Sequence, residues 1–245
     1  MQISVKADIK ELTRKLNRIQ KKQIPFATAQ ALTWTAQDVR TDLYRNMKQV
    51  FDNPTKFIVP GNIEKPGKKG ALFMTAAKKN NLVAKVWVKD LTQGKGPPAI
   101  NILGPHIYGG KRKDKGSERA LKSRGLIPAG KQIAPARGLN KNRHGNVTAG
   151  TMTKILSGLS ALPGAAKGSK SRQKVSYFVM RLGGPGSETG IFERRGKKIK
   201  KLFNVVSPPN YKRRFHFSKV AANSNKRHFK RNFEKSIKKA LATVR

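Results

Sequence analysis

Carboxylates and histidines are the residues from which acid–base or metal chemistry would be built, and this chain offers few of either. Its 12 carboxylates are Asp8, Glu11, Asp38, Asp42, Asp52, Glu64, Asp90, Asp114, Glu118, Glu188, Glu193 and Glu234, and nearly all have basic neighbours. Two-metal hydrolysis needs several carboxylates converging on divalent cations. No acidic pair or spaced cluster of that kind stands out, so nuclease chemistry is not expected. The histidines His106, His144, His216 and His228 form no His-x-x-x-His pair and sit in no nucleophile motif. His216 and His228 read as partly exposed residues in basic surroundings rather than as catalytic groups. The stretches Gly61 to Lys69 and Gly190 to Lys198 imitate a phosphate-binding loop, yet each has one residue too many between its glycines and no Ser or Thr after the lysine to hold magnesium. Turn glycines beside solvated lysines explain both. The absence of cysteine excludes disulfides, thiolate metal sites and cysteine nucleophiles. No catalytic residue, metal ligand or cofactor is assigned, and the chain is not expected to be an enzyme.

The chemistry that is present is cationic. Lys and Arg number 54 against the 12 acids, a formal charge of +42. So large an unbalanced charge repels itself unless something anionic neutralises it. The candidate contacts to nucleic acid or an acidic partner are Lys111, Arg112 and Lys113; Arg194 and Arg195; Lys197, Lys198, Lys200 and Lys201; Lys212, Arg213 and Arg214; and Arg227, Lys230 and Arg231. A sequence-specific reader concentrates charge on one groove-entering element, whereas dispersed charge suits non-specific phosphate contact or the wall of a multi-subunit channel. Tyr211, Phe215 and Phe217 interleave with these cations as stacking surfaces would, but phenylalanines at this spacing read better as packing between a strand and a helix.

Elements must position these charges. A length of 245 residues with a 37% apolar share suffices for a modest core. After an extended start at Gln2 to Val5, Ile9, Leu12, Leu16 and Ile19 recur at helical spacing among Lys10, Arg14, Lys15, Arg18, Lys21 and Lys22. Pro25 interrupts this helix, and Leu32, Ala36, Val39, Leu43, Met47 and Val50 form a second stripe ended by Asn53-Pro54. Phe57 to Val59, Leu72 to Ala77 and Leu82 to Val88 read as strands. Residues 90–174 are rich in Gly, Pro, Lys and Ser and read as an irregular insertion, with helical candidates at Ser117 to Ser123 and Thr148 to Leu162. Val175 to Arg181, Gly190 to Arg194 and Ile199 to Val206 are further strands, the last two joined by a turn at Gly196-Lys197-Lys198. Phe229, Phe233, Ile237 and Leu241 then recur every four residues in a basic amphipathic helix. The expected class is α+β, a single domain with an N-terminal helix pair, a small antiparallel sheet, the basic insertion and a C-terminal helix. Leu32, Ala36, Val39, Leu43, Phe229, Phe233, Ile237 and Leu241 are the expected packing or assembly positions. No apolar run approaches the roughly 20 residues of a membrane-spanning helix, and Met1 to Lys10 has no signal-peptide core, so the chain is expected to be made in the cytoplasm, not secreted, with no membrane partner.

The run Ile24-Pro25-Phe26-Ala27-Thr28-Ala29-Gln30-Ala31-Leu32-Thr33-Trp34-Thr35-Ala36 resembles the start of phage minor tail proteins of the lambda Z type. Gly190-Ile191-Phe192-Glu193-Arg194-Arg195, with the lysine-rich turn and the strand after it, is similar to that family's hairpin before its final helix. Three other motifs resemble a longer set of phage and prophage proteins: Gly104-Pro105-His106-Ile107-Tyr108-Gly109-Gly110, Arg124-Gly125-Leu126-Ile127-Pro128-Ala129-Gly130 and Tyr211-Lys212-Arg213-Arg214-Phe215. The resemblance implies a virion protein of a tailed bacteriophage, a tail-completion, neck or head–tail connector subunit without catalytic residues. Its expected partners are copies of itself in a ring, portal, adaptor or tail proteins, and genomic DNA without sequence preference. The alternative is a soluble, non-specific nucleic-acid-binding protein of genome packaging or delivery, which composition alone would favour. Membrane-surface binding through the basic C-terminal helix is a third reading, which tertiary packing explains more simply.

Overall fold

The computed structural model describes residues 23–67, 69–91, 96–162, 175–181 and 189–242. The extended start and the helix expected before Gln23 lie outside them. The fold is α+β. Its contacts divide the chain into two compact units, where the sequence suggested one domain with an insertion at 90–174. One unit is made of the chain up to Ile107 together with the chain from Arg213, and the other of Tyr108–Lys212.

In the first unit, helix α1 spans Ile24–Val50, with Pro25 in its first turn, where a missing N–H costs nothing. It stops where Phe51 turns extended and Asn53 takes a left-handed φ of 40° ahead of Pro54. Strands β1 (Leu72–Thr75) and β2 (Lys85–Val88) form a hairpin with Leu72 opposite Val88 and Phe73 opposite Trp87. Helix α2 (Ala99–Tyr108) follows, and after the second unit comes the long helix α5 (Phe217–Ala242). Leu43, Met47, Leu72, Leu103 and Phe215 are fully buried in the core of this unit. Tyr44 is buried beneath the hairpin, where its hydroxyl accepts from the Leu72 N–H at 3.0 Å and faces the Leu72 carbonyl at 3.3 Å.

Helix α5 does not bury the row expected from hydrophobicity. Ser224, Asn232, Ser236 and Ala240 are its buried residues, while Phe229, Phe233 and Ile237 are half-buried and Leu241 is exposed. Both rows repeat every four residues, so periodicity cannot choose between them. Polar complementarity with α1 chooses. Ser236 Oγ donates to the Ala27 carbonyl at 2.8 Å, Asn232 Nδ2 donates to Asp38 at 2.7 Å and Thr35 at 3.2 Å, and Ser224 Oγ donates to Asp42 at 2.7 Å. Small side chains with satisfied hydrogen bonds let the helices approach closely, and the bulky phenylalanines flank the seam, stacked on each other at 5.8 Å. On α1, Ala36, Val39 and Leu43 are buried as expected and Leu32 is half-buried.

Two other local readings change. Phe57 to Val59 is a turn, not a strand: the Ile58 and Val59 N–H groups both donate to the Thr55 carbonyl. Pro54 and Pro60 bracket a segment too short for a ladder, which nevertheless delivers Ile58 and Val59 to the core. Helix α2 lies within the stretch read as irregular. Pro97, Pro98, Gly104 and Pro105 hide a period that Ala99, Leu103 and Ile107 carry as the buried face.

The second unit is built on an antiparallel sheet ordered β4 (Gln132–Pro135), β7 (Lys198–Val206), β6 (Thr189–Arg195), β5 (Val175–Arg181). Helices α3 (Gly116–Ser123) and α4 (Ala149–Gly158) agree with the two helical candidates to within a few residues. Strand β4 was missed because Ile133 is its only large apolar residue and Pro135 ends it. Ile133, Leu121, Ile155, Ile191, Leu202 and Phe203 share the core. Consecutive Leu202 and Phe203 are both buried because the β6–β7 register shifts between Ile191 and Phe192. Short strands β3 (Gly110–Lys111) and β8 (Asn210–Tyr211) pair antiparallel and hold the two ends of the unit together, as an inserted domain requires.

Gly70 has a φ of +80°, and an added Cβ would lie 2.5 Å from the Tyr44 hydroxyl and 2.7 Å from Pro60 Cδ. Gly70→Ala is expected to destabilise the first unit by about 2 kcal/mol, from backbone strain and displacement of the Tyr44 hydrogen bonds. Urea unfolding followed by the fluorescence of Trp34 and Trp87, both in that unit, measures it.

Candidate nucleic-acid interface

The densest cationic feature is the β6–β7 hairpin. From Arg194 to Lys201, six of eight residues are Lys or Arg. Gly196, with a φ of +57°, allows the tight reversal that folds this run back on itself. The register then sets Arg195 opposite Lys198 and Glu193 opposite Lys200. Like charges directly opposed across a ladder oppose pairing; the sheet below, anchored by Ile191 and Phe203, holds the tip in place. Arg194, Arg195, Lys197, Lys198 and Lys200 are exposed, and Lys201 is half-buried. Ile199 stands half-exposed among them. The Arg194 guanidinium lies over the Phe178 ring at 5.6 Å, and Phe178 stacks on Phe192 at 5.7 Å, which orients this cation. Arg195 pairs with Glu193. Gly190, suspected of imitating a phosphate loop, is a buried strand residue whose missing Cβ makes room for Lys201 and Phe192.

The loop after β4 adds cations that the search for clusters missed. The Ala136 N–H donates to the Leu202 carbonyl at 2.8 Å, and Gly138 lies against the Lys200 side chain. Exposed Arg137 therefore flanks the hairpin, and exposed Lys141 and Arg143 continue along the same loop. These charges are spaced singly in sequence, so no run announces them.

The other candidates are distributed differently. Of the Lys111 to Lys113 triplet, only Lys111 and Lys113 are exposed. Arg112 is committed to Glu118, whose side chain is entirely buried, by a bidentate pair of 2.6 and 2.7 Å. Glu118 also accepts the N–H groups of Lys115 at 2.7 Å and Ile133 at 3.0 Å. Burial alone would raise the Glu118 pKa, but the Arg112 and backbone donors outweigh it and hold the carboxyl below its ordinary range. This joint ties the β3–α3 connection to β4 and carries no free charge. Lys212 is exposed at the end of the second unit; Arg213, Arg214, Arg227, Lys230 and Arg231 are exposed in the first. The candidates are thus divided between the two units. Phe215 is fully buried, edge-on to Phe51 and Phe217, and Tyr211 lies in β8. Phe215 is therefore core and not a stacking platform.

The histidines are placed by packing. Burial, and then the charge of Arg214, push His106 below its ordinary pKa. His228 is less exposed than expected and sits in the α1–α5 seam, with Nε2 3.1 Å from Asp42 and Nδ1 3.0 Å from Arg231. Among the described residues no group of three or more His, Asp or Glu side chains is placed to hold a metal ion. What the surface offers chemically is a field of Lys and Arg donors suited to oxyanions. Compared with protein-family models, curated proteins and solved structures, the chain matches none of them.

Proposed function

We propose that this chain is a structural virion subunit of a tailed bacteriophage, a ring-forming component of the head–tail junction that contacts neighbouring subunits and the DNA passing through. The observation that carries the reading is the β6–β7 hairpin, whose opposed cations on a rigid sheet are tolerable only beside a polyanion. The resemblance to tail-completion and minor tail proteins gives the polyanion an identity. In a ring, one such hairpin per subunit would line a path with repeated charge that grips phosphates without reading bases. The division of cations between two units favours contact with several surfaces at once. This role calls for no catalysis and no cofactor.

The test is composition of the particle together with the state of the free protein. Mass spectrometry of purified infectious particles is expected to find the chain at a fixed small copy number, and the isolated protein is expected to form a defined oligomer alone or with a neighbouring virion protein. Normal particles lacking the chain would end the proposal. Tight, salt-sensitive DNA binding by a persistent monomer would instead favour the packaging or delivery role.

A further inference from the structure

The first unit contains a cation whose position the polyanion contact of the hairpin does not explain. Arg40 lies on α1 one turn before Tyr44, on the side turned to the β1–β2 hairpin, and is half-buried. Its Nε is shut off from solvent and has no hydrogen-bond partner among the described residues. The two Nη nitrogens are not shut off in this way. Lys89 comes immediately after β2 and is pinned on both sides, its N–H donating to the Ala71 carbonyl at 2.8 Å and its carbonyl accepting from the Ile100 N–H at 3.0 Å. Burial, and then the neighbouring Arg40 charge, push the Lys89 ammonium below its ordinary pKa. Two cations are therefore held against each other in a partly desolvated place, and no ion pair joins Arg40 to a carboxylate among the described residues. A guanidinium removed from water without a counter-charge is costly. The nearby Tyr44 hydroxyl is already occupied by Leu72, so it does not relieve either cation.

We propose that Arg40 and Lys89 form a binding site for a phosphate-class oxyanion. The planar guanidinium presents parallel donors to two oxygens, and the ammonium supplies a point charge to a third. The ion neutralises the repulsion and ties α1 to the end of β2. The ion can come from free phosphate or from a nucleic-acid backbone. The site does not depend on the virion reading, since inorganic phosphate alone would occupy it.

The experiment is thermal unfolding of the full chain in sodium phosphate and in sodium chloride at matched ionic strength, for the wild type, Arg40→Met, Lys89→Met and Lys212→Met. Phosphate is expected to raise the wild-type Tm above the chloride value. That rise should be at least halved in Arg40→Met and Lys89→Met and kept in Lys212→Met, which removes an exposed cation of the other unit. In chloride, Arg40→Met should be no less stable than the wild type, because an uncompensated charge has been removed. A full phosphate response in Arg40→Met overturns the proposal, and so does a lower Tm of that variant in chloride, which would make Arg40 a packing residue. If Arg40→Met does not fold, a full response in Lys89→Met is equally fatal. Anisotropy with a short labelled duplex then identifies the source: affinity weakened about tenfold at 0.1 M salt by Arg40→Met points to a backbone phosphate, and unchanged affinity to free phosphate.

Discussion

Glu118→Ala is expected to lower the stability of the second unit by about 3–5 kcal/mol, measured as a shift in the urea midpoint followed by far-ultraviolet circular dichroism. The substitution removes the acceptor of four donors at once, strands the half-buried Arg112 guanidinium, and leaves the Lys115 and Ile133 N–H groups without their partner. Arg112→Met should cost a similar amount, because a carboxylate with no exposed surface would lose its counter-charge. The double variant Arg112→Met with Glu118→Leu is expected to recover much of the loss, since removing both charges also removes their desolvation cost. A double variant as unstable as the sum of the singles would mean that shape, not charge, makes this joint.

The same group fixes the response to acid. Glu118, Asp42 and Asp114 all have folded pKa values below their ordinary ones, so each contributes stability that is fully present above its unfolded value. That contribution is lost as pH falls through the lower folded values. Stability should therefore fall below about pH 4, steepened by the rising self-repulsion of a chain already at +42. Glu118→Gln should flatten part of that fall.

Neutralising three hairpin lysines, as Lys197→Gln, Lys198→Gln and Lys200→Gln together, is expected to weaken binding to duplex DNA by about a hundredfold at 0.1 M salt. The slope of log affinity against log salt should lose about 2.7 units, from roughly 0.9 for each phosphate contact removed. The loss should be the same for any base sequence, because contacts to phosphate carry no sequence information. The folded hairpin itself should be no less stable, since Arg195 would no longer face a cation at position 198. An unchanged salt slope would show that this hairpin does not meet the polyanion.

Much of the architecture was readable in the chain. Pro25 and Asn53-Pro54 mark the limits of α1 because proline and a left-handed asparagine act locally. The strands around Gly196 were readable because a tight turn and alternating apolar residues need no distant partner. Helix α2 and strand β4 were not, since prolines and single apolar residues break up any pattern that does not know what lies opposite. Among the cations, runs such as Lys197-Lys198 were visible, while Arg137 beside Lys200 and the adjacency of Arg40 and Lys89 were not. Those last pairs are joined only by strand register and helix packing.

The sequence by itself determined the sign and size of the charge, the lack of thiol chemistry, the α+β class and the limits of the long helices, because composition and local stereochemistry settle these within a few residues. Tertiary structure alone decided which row of α5 is buried, and it did so through Ser224, Asn232 and Ser236 finding hydrogen-bond partners on α1. It also decided that Arg112 is consumed by a buried carboxylate while its neighbours stay exposed. Burial of a polar group is favourable only when a partner is in place, and that partner lies far away in the chain for the α5 seam and for the link from Glu118 to Ile133.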